Sequence, residues 1–300
     1  MNKLRNFIHT YGNAYFFIGF WLILFVFFTL IPILMAVVIS FTNFDMVQAP
    51  RFIGFSNYMR MFLDDDIFVK AFSNTMLFAI ITGPVGYILS FVVAWFINDM
   101  GRLLKNILTF LFYSPSLIGS AYLMWMYLFS NDSYGILNSF LINWGLISEP
   151  IQWLYDPDYN FFVVIVVVLW MGMGTGFLAF IAGFKQLNAS YFEAAAIDGL
   201  RNRWQELWYI TLPQMRPQLL IGAVLSISGS FAIGAQPAAL TGMPSTDYST
   251  HTLVLHIQDY GNLRLEMGYA SAVAVVLFAI MVVSWVVINK AINTVAPGEG

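Results

Sequence analysis

Hydrophobic residues in this chain run in long blocks instead of alternating or recurring in the narrow stripes of soluble elements. Six blocks can be delimited, at about residues 14–40, 71–97, 106–129, 161–184, 218–240 and 268–288. Each reaches or exceeds the roughly 20 residues a helix needs to cross a bilayer. The pattern predicts an all-α integral membrane protein with six transmembrane helices in a single domain covering residues 1–300. The first block exceeds the 7–15 residues of a signal-peptide core by so much that it reads as a retained span. Several blocks carry interruptions. Gly83, Pro84 and Gly86 suggest a kink in the second, and Tyr113 to Ser116, Tyr122 and Trp125 suggest that the third faces protein or water. Gly172 and Gly176 form a GxxxG pair in the fourth. Gly222, Ser226, Ser230 and Gly234 recur every four residues in the fifth, a ridge suited first to helix packing and second to a hydroxyl-lined path.

Composition agrees with the blocks: 59% of residues are hydrophobic and 10% charged, and the mean hydropathy is +0.74. A soluble domain, with about 25% charged residues, is excluded. The net charge of -3 says less than the placement of the basic residues. Alternating the six spans puts Lys3, Arg5, Arg102, Lys105, Lys185, Arg201, Arg203, Arg216 and Lys290 on one side and leaves Arg51, Arg60, Lys70 and Arg264 on the other. By the positive-inside rule both termini are cytoplasmic. The loop 131–160, with Asp132, Glu149, Asp156 and Asp158 and no basic residue, is then outside. No basic stripe exists for nucleic acid.

Candidate chemistry in the loops is sparse. Consecutive Asp64, Asp65 and Asp66 point in different directions and read as a solvated cluster at a helix start, not as metal ligands. His251, His256 and Asp259 are an incomplete ligand set on a segment whose Leu253, Val254, Ile257 and Tyr260 share one side, as in a surface amphipathic helix. Gly172, Gly174 and Gly176 fail as a nucleotide fingerprint because Phe177 stands where the third glycine is needed. No catalytic constellation and no metal site emerges, the chain has no cysteine, and a Walker A sequence is absent. An intramembrane enzyme would need paired carboxylates, a His-rich metal motif or a nucleophile with its base within the spans, and none is evident, while a passive channel leaves the stretch 188–217 unexplained.

The stretch 188–217 concentrates charge, helix signals and prolines. Ser190 and Glu193 form a capping-box pattern, Ala194, Ala195 and Ala196 continue a slim helix, and Gly199 offers a left-handed stop. A second helix is predicted from near Arg201, with Trp204, Leu207, Trp208 and Thr211 on one face, until Pro213 and Pro217. Glu193, Ala194, Ala195, Gly199, Ile210, Leu212 and Pro213 together resemble the signature of permease subunits from binding-protein-dependent ABC importers. That signature is written EAA, three residues, Gly, nine residues, Ile, one residue, Leu-Pro. Asp198 resembles the carbohydrate-uptake branch. The segments FIGFSNYMRMF, AFSNTMLF, YGILN, LWMGMGTGFLAFIAGF and MGYASAVAVVLF extend the likeness over most of residues 30–290. Leu200, where alanine is common, and LTGMPSTDYSTHT, in place of a glycine-rich turn, depart from it.

The resemblance implies a cytoplasmic coupling loop between the fourth and fifth spans, carried by Glu193, Ala194, Ala195, Asp198, Gly199, Ile210, Leu212 and Pro213. It implies as partners a second homologous permease subunit, two ATP-binding subunits that hold ATP and Mg, and an extracytoplasmic solute-binding protein. The chain itself then needs no cofactor and sits in lipid, in a prokaryotic cell membrane. The implied substrate is a sugar, an oligosaccharide in particular, with glycerol phosphate, a polyol or a polyamine as alternatives. Spans without buried arginines or carboxylates suit a neutral solute, for which Tyr122, Trp170, Ser230 and Gln236 offer aromatic, hydroxyl and amide partners.

Overall fold

The computed structural model describes residues 18–200 and 202–295. The start of the first predicted span, Lys3, Arg5, Arg201 and the last five residues lie outside the described residues. In chain order the helices are α1 (Ile18–Ile39), α2 (Ser56–Leu63), α3 (Asp66–Asn98), α4 (Arg102–Leu117), α5 (Leu123–Leu128), α6 (Ile136–Asn143), α7 (Pro157–Met171), α8 (Thr175–Gln186), α9 (Ala189–Ile197), α10 (Arg203–Glu206), α11 (Arg216–Phe231), α12 (Ala235–Thr241), α13 (Leu253–Gln258) and α14 (Met267–Val295). Among the described residues the only β pairing outside helices is an isolated bridge between Thr42 and Phe52.

Five helices or helix pairs are long and apolar enough to cross a membrane: Ile18–Ile39, Asp66–Asn98, Pro157–Gln186, Arg216–Thr241 and Met267–Lys290. They coincide with five of the six predicted blocks. The block at 106–129 is different: α4 ends at Leu117, α5 begins at Leu123, and the intervening backbone turns. At 1.5 Å per residue the 16 residues of α4 rise only about 24 Å, short of a roughly 30 Å hydrocarbon core. Pro84, by contrast, lies inside a continuous α3.

The chain packs as two units. One comprises the described residues up to Asp64 together with Ile257–Val276. Asn57 organises it, its buried amide donating to the carbonyls of Ser40 and Thr42 at 2.8 and 2.9 Å. Arg60 pairs with Glu266 and lies over the Tyr269 ring, 4.5 Å from its centroid. Asp259 pairs with Arg264 at 2.8 Å.

The second unit comprises Asp65–His256 and the residues from Leu277 on. Asp65 caps α3 by accepting from the Phe68 amide at 2.9 Å, as a helix-starting aspartate should. It is buried, however, not solvated as the sequence suggested, and its other oxygen lies 3.3 Å from His256 Nε2. The segment around α13 is likewise no surface helix: Leu253, Leu255, His251 and His256 are all buried. The Thr75 hydroxyl accepts from the Leu253 amide at 2.8 Å, and the Asn74 amide donates to the carbonyls of Tyr248 and His251. These polar ties fix the loop in the interior, where an amphipathic pattern alone would have left it outside.

Two separate apolar clusters hold this unit together. The first gathers Phe91, Ala94 and Ile97 of α3, Phe177, Phe180 and Phe184 of α8, and Leu207, Met215 and Leu219. The second gathers Phe78 of α3, Val163, Val164 and Val167 of α7, Phe129, and Ile233 and Leu240 near α12.

Candidate functional site: the 188–217 segment and an uncharged cavity

The helix α9 is capped by Asn188, whose side chain accepts from the Ser190 amide at 3.0 Å. The expected Ser190–Glu193 capping box is therefore corrected. Asn188 already has extended backbone geometry, so Ser190 falls inside the helix. At the other end Gly199 has φ +93°, and the Gly199 and Leu200 amides donate back to the carbonyls of Ala196 and Ala195. This paired closure is the left-handed stop that glycine makes possible. Glu193, Ala194, Asp198 and Gly199 are exposed, whereas Ala195 is buried.

Beyond the glycine, Asn202 caps α10 by accepting from the Trp204 amide. Arg203 reaches Asp99, at the end of α3, at 2.7 Å, and the Trp204 ring lies 5.2 Å from that of Trp95. Residues Leu207–Thr211 then form a π-helical turn, in which the Leu212 amide bonds to the Leu207 carbonyl. Ten residues, not nine, separate Gly199 from Ile210. A π turn accommodates one additional residue without breaking a helix, so the turn sits where the longer spacing has to be absorbed. The single face expected for Trp204, Leu207, Trp208 and Thr211 also splits. Leu207, Ile210 and Thr211 are buried, while Trp204 and Trp208 are 59% and 60% exposed. Leu212 is half-buried against the first apolar cluster, and Pro213 is exposed.

A cavity of about 320 Å³ opens in the same unit, lined from α3, α7, α8, α11 and α12 and by Ser116 of α4. No charged side chain lines it. Along α3 its wall is Thr82, Gly86 and Ser90, spaced by four residues. On the facing helix it is Gly222, Ser226 and Ser230. The ridge predicted on the fifth span thus both packs and lines. Ser226 donates to the Gly83 carbonyl at 2.7 Å, and an added Cβ at Gly83 would stand 3.3 Å from Ser230 Oγ. Gly176 of the GxxxG pair lies close to Gly222, whose carbonyl would be 3.9 Å from an added Cβ. Helix breaks at 172–174 and 232–234 border the cavity.

Of the four predicted pathway residues, Ser230 and Gln236 line this cavity. Tyr122 and Trp170 do not. Tyr122 packs on the second apolar cluster, and Trp170 meets Trp125 edge to face with centroids 5.4 Å apart. Aromatic residues in a span have two sides to choose from, and here packing wins. Thr82 and Tyr87 were missed, while Ser116 comes from the stretch expected to face protein or water. The four-residue recurrence of Thr82, Gly86 and Ser90 was the readable signal, overlaid by the kink pattern of Gly83 and Pro84.

Residues 86–293 match the family model described as "Binding-protein-dependent transport system inner membrane component". The chain is 30% identical over 287 residues to the probable ABC transporter permease protein YesP of Bacillus subtilis, covering 94% of this chain and 90% of that protein. It is 27% identical to the lactose transport system permease protein LacF of Rhizobium radiobacter, over 85% and 86% of the two. It is 28% identical to the arabinooligosaccharides transport system permease protein AraP of Bacillus subtilis, over 86% and 82%. A chain in the crystal structure of a bacterial alginate ABC transporter, in complex with an alginate pentasaccharide-bound periplasmic protein, shares the fold. Its TM-score is 0.81 at 20% identity, covering 99% of this chain and all of that one.

Proposed function

Since the chain belongs to the family of binding-protein-dependent transport system inner membrane components, we propose that it forms half of the translocation pathway of an ATP-driven carbohydrate importer. The transport subunit is a multi-pass membrane protein. In this reading six spans place both termini and residues 188–217 in the cytoplasm, a second homologous permease completes the pathway, and two separate subunits bind ATP and Mg. A solute-binding protein delivers the sugar from outside. Relatives named for lactose and arabinooligosaccharides support a sugar, and an oligosaccharide in particular.

The observation that carries the proposal is a packed connection. The exposed, alanine-rich α9 gives a partner a slim helix to grip, and Glu193 is free to offer a charge-assisted bond. Leu207, Leu212 and Met215, which follow it, are packed into the cluster that contains Phe180, and Phe180 is itself a wall of the cavity. A push on α9 by closing ATPase subunits therefore reaches the solute path through contacts between apolar side chains, which resist compression.

The test is uptake into liposomes by the complex purified with its native partners. Labelled oligosaccharide should enter only with ATP and loaded binding protein. ATP-independent flux would identify a channel instead. In intact cells an Asn202→Cys variant of this cysteine-free chain should resist an impermeant thiol reagent, and labelling there would overturn the orientation.

A further inference from the structure

The cavity is uncharged, yet five of the six side-chain hydroxyls that line it, all but Ser90, are not equivalent to free ones, because their protons are already committed. Thr82 donates to the Phe78 carbonyl at 2.8 Å and Tyr87 to the Leu219 carbonyl at 3.2 Å. Ser116 donates to Tyr113 at 2.7 Å, Ser226 to Gly83 at 2.7 Å and Ser230 to Ile227 at 2.8 Å. A hydroxyl has one proton and two lone pairs, so each of these five presents the cavity with acceptors. We infer that this cavity holds its solute chiefly through hydrogen bonds that the solute donates, and so takes neutral polyhydroxyl compounds while rejecting carboxylated or phosphorylated sugars of the same size. The inference rests on the permease reading and deepens it.

The chemistry is a matter of pairing. A sugar hydroxyl can turn its proton toward a serine lone pair and lose nothing on leaving water. A carboxylate or phosphate oxygen can only accept, and against a wall of acceptors it would be left unpaired, in a place with no lysine or arginine to compensate. Turning Tyr87 and Ser226 round to donate would break the helix-to-helix bonds they make to the Leu219 and Gly83 carbonyls. Beside the single hydroxyl of Ser90, Gln236 is the lining side chain with donors to spare, since an amide carries two N–H bonds. It is therefore the position from which the preference can be altered.

A thiol reporter at the cavity wall tests this. An Ala232→Cys variant, assembled with its partner subunits and solubilised in detergent, is treated with a small neutral thiol reagent, and the rate of modification is followed. The competitors, at equal concentration, are a neutral trisaccharide, a trisaccharide of uronic acids and a protonated amino-sugar trisaccharide. The neutral sugar should slow modification, and the uronate should protect more weakly by roughly tenfold or more, the ratio expected when a charged group goes unpaired. In an added Gln236→Arg variant the gap should narrow. Equal protection by neutral and acidic sugars would overturn the inference, as would better protection by the amine, or no protection by any of them. None of these outcomes disturbs the importer reading, which ATP-dependent uptake into liposomes decides separately.

Discussion

Phe180 lies so close to Gly222 that a Cβ on residue 222 would stand 2.5 Å from its Cζ atom. The contact joins α8 to α11 at the edge of the cavity, and Phe180 is at the same time a member of the first apolar cluster. Gly222→Ala should therefore destabilise by about 1–3 kcal/mol through overpacking, although alanine is the better helix former. Thermal unfolding of the solubilised complex measures this. Phe180→Leu in the same chain should recover part of the loss. An unchanged melting temperature in Gly222→Ala would show that the two helices are free to separate there.

The π turn at Leu207–Thr211 makes a second prediction. Deleting Tyr209 restores nine residues between Gly199 and the isoleucine and should turn the segment into plain α-helix. Each residue is worth about 100° of rotation at 3.6 residues per turn. Trp204 would then leave Trp95, and Arg203 would leave Asp99. Binding-protein-stimulated ATP hydrolysis should lose its link to uptake, and tryptophan emission should shift toward that of exposed indole. Full transport by the deletion variant would mean that the longer spacing is of no consequence.

The third concerns the two ends of α9. Nothing lies within 4 Å of a Cβ placed on Gly199, so any penalty there comes from the backbone alone. At φ +93° valine should cost about 1–2 kcal/mol or more and asparagine less. At the start, Asn188→Ala should cost about 1 kcal/mol, and Ser190→Ala much less, because Asn188 is the cap. Uptake and ATPase stimulation by the four variants should rank in that order. A larger effect at Ser190 than at Asn188 would reinstate the capping box.

What the sequence could and could not reveal follows from the length over which each signal acts. Five of the six long apolar blocks, the left-handed glycine at 199 and the Gly222, Ser226 and Ser230 part of the four-residue ridge are local patterns that appear where the sequence predicts them, whereas the block at 106–129 breaks between Leu117 and Leu123. Competition between neighbours is harder to read: Asn188 and Ser190 are both good caps, and only the extended backbone at 188 decides between them. Three-dimensional partners are invisible to the pattern. His251 and His256 are buried because Asn74, Thr75 and Asp65, about 180 positions away, supply their surroundings. Chemical type alone points Tyr122 and Trp170 to the path, whereas in the structure Tyr122 packs on the second apolar cluster and Trp170 on the Trp125 ring.

The loop 131–160 supplies a fourth prediction. Asn138, fully buried, donates to the carbonyls of Ser130, Asp132 and Ile151 and accepts from the Ile151 amide and the Trp153 indole. Asn138→Ala should strand several of these groups, at about 1–3 kcal/mol for each that finds no water. Limited proteolysis of the complex should then cut within 131–155, where the parent resists. Equal resistance would show that the loop holds without this node.

The two apolar clusters have a consequence for how the unit can move. On α3 the order is Phe78, then the cavity residues Thr82 to Ser90, then Phe91. On α7 and α8 it is Val167, then Leu169 to Gly176, then Phe177. The return path repeats it, from Leu219 through Gly222 and Ser230 to Leu240. These three paths thus pass from one tightly filled block to the other through a neck rich in glycine and serine, two of the three with an open break in the backbone. Small side chains interlock little, so the neck is where one block can tilt on the other at least cost, while each keeps its own interior intact. In the importer proposed above, the solute sits in the joint itself, and a tilt that serves the ATPase end reshapes the walls around it.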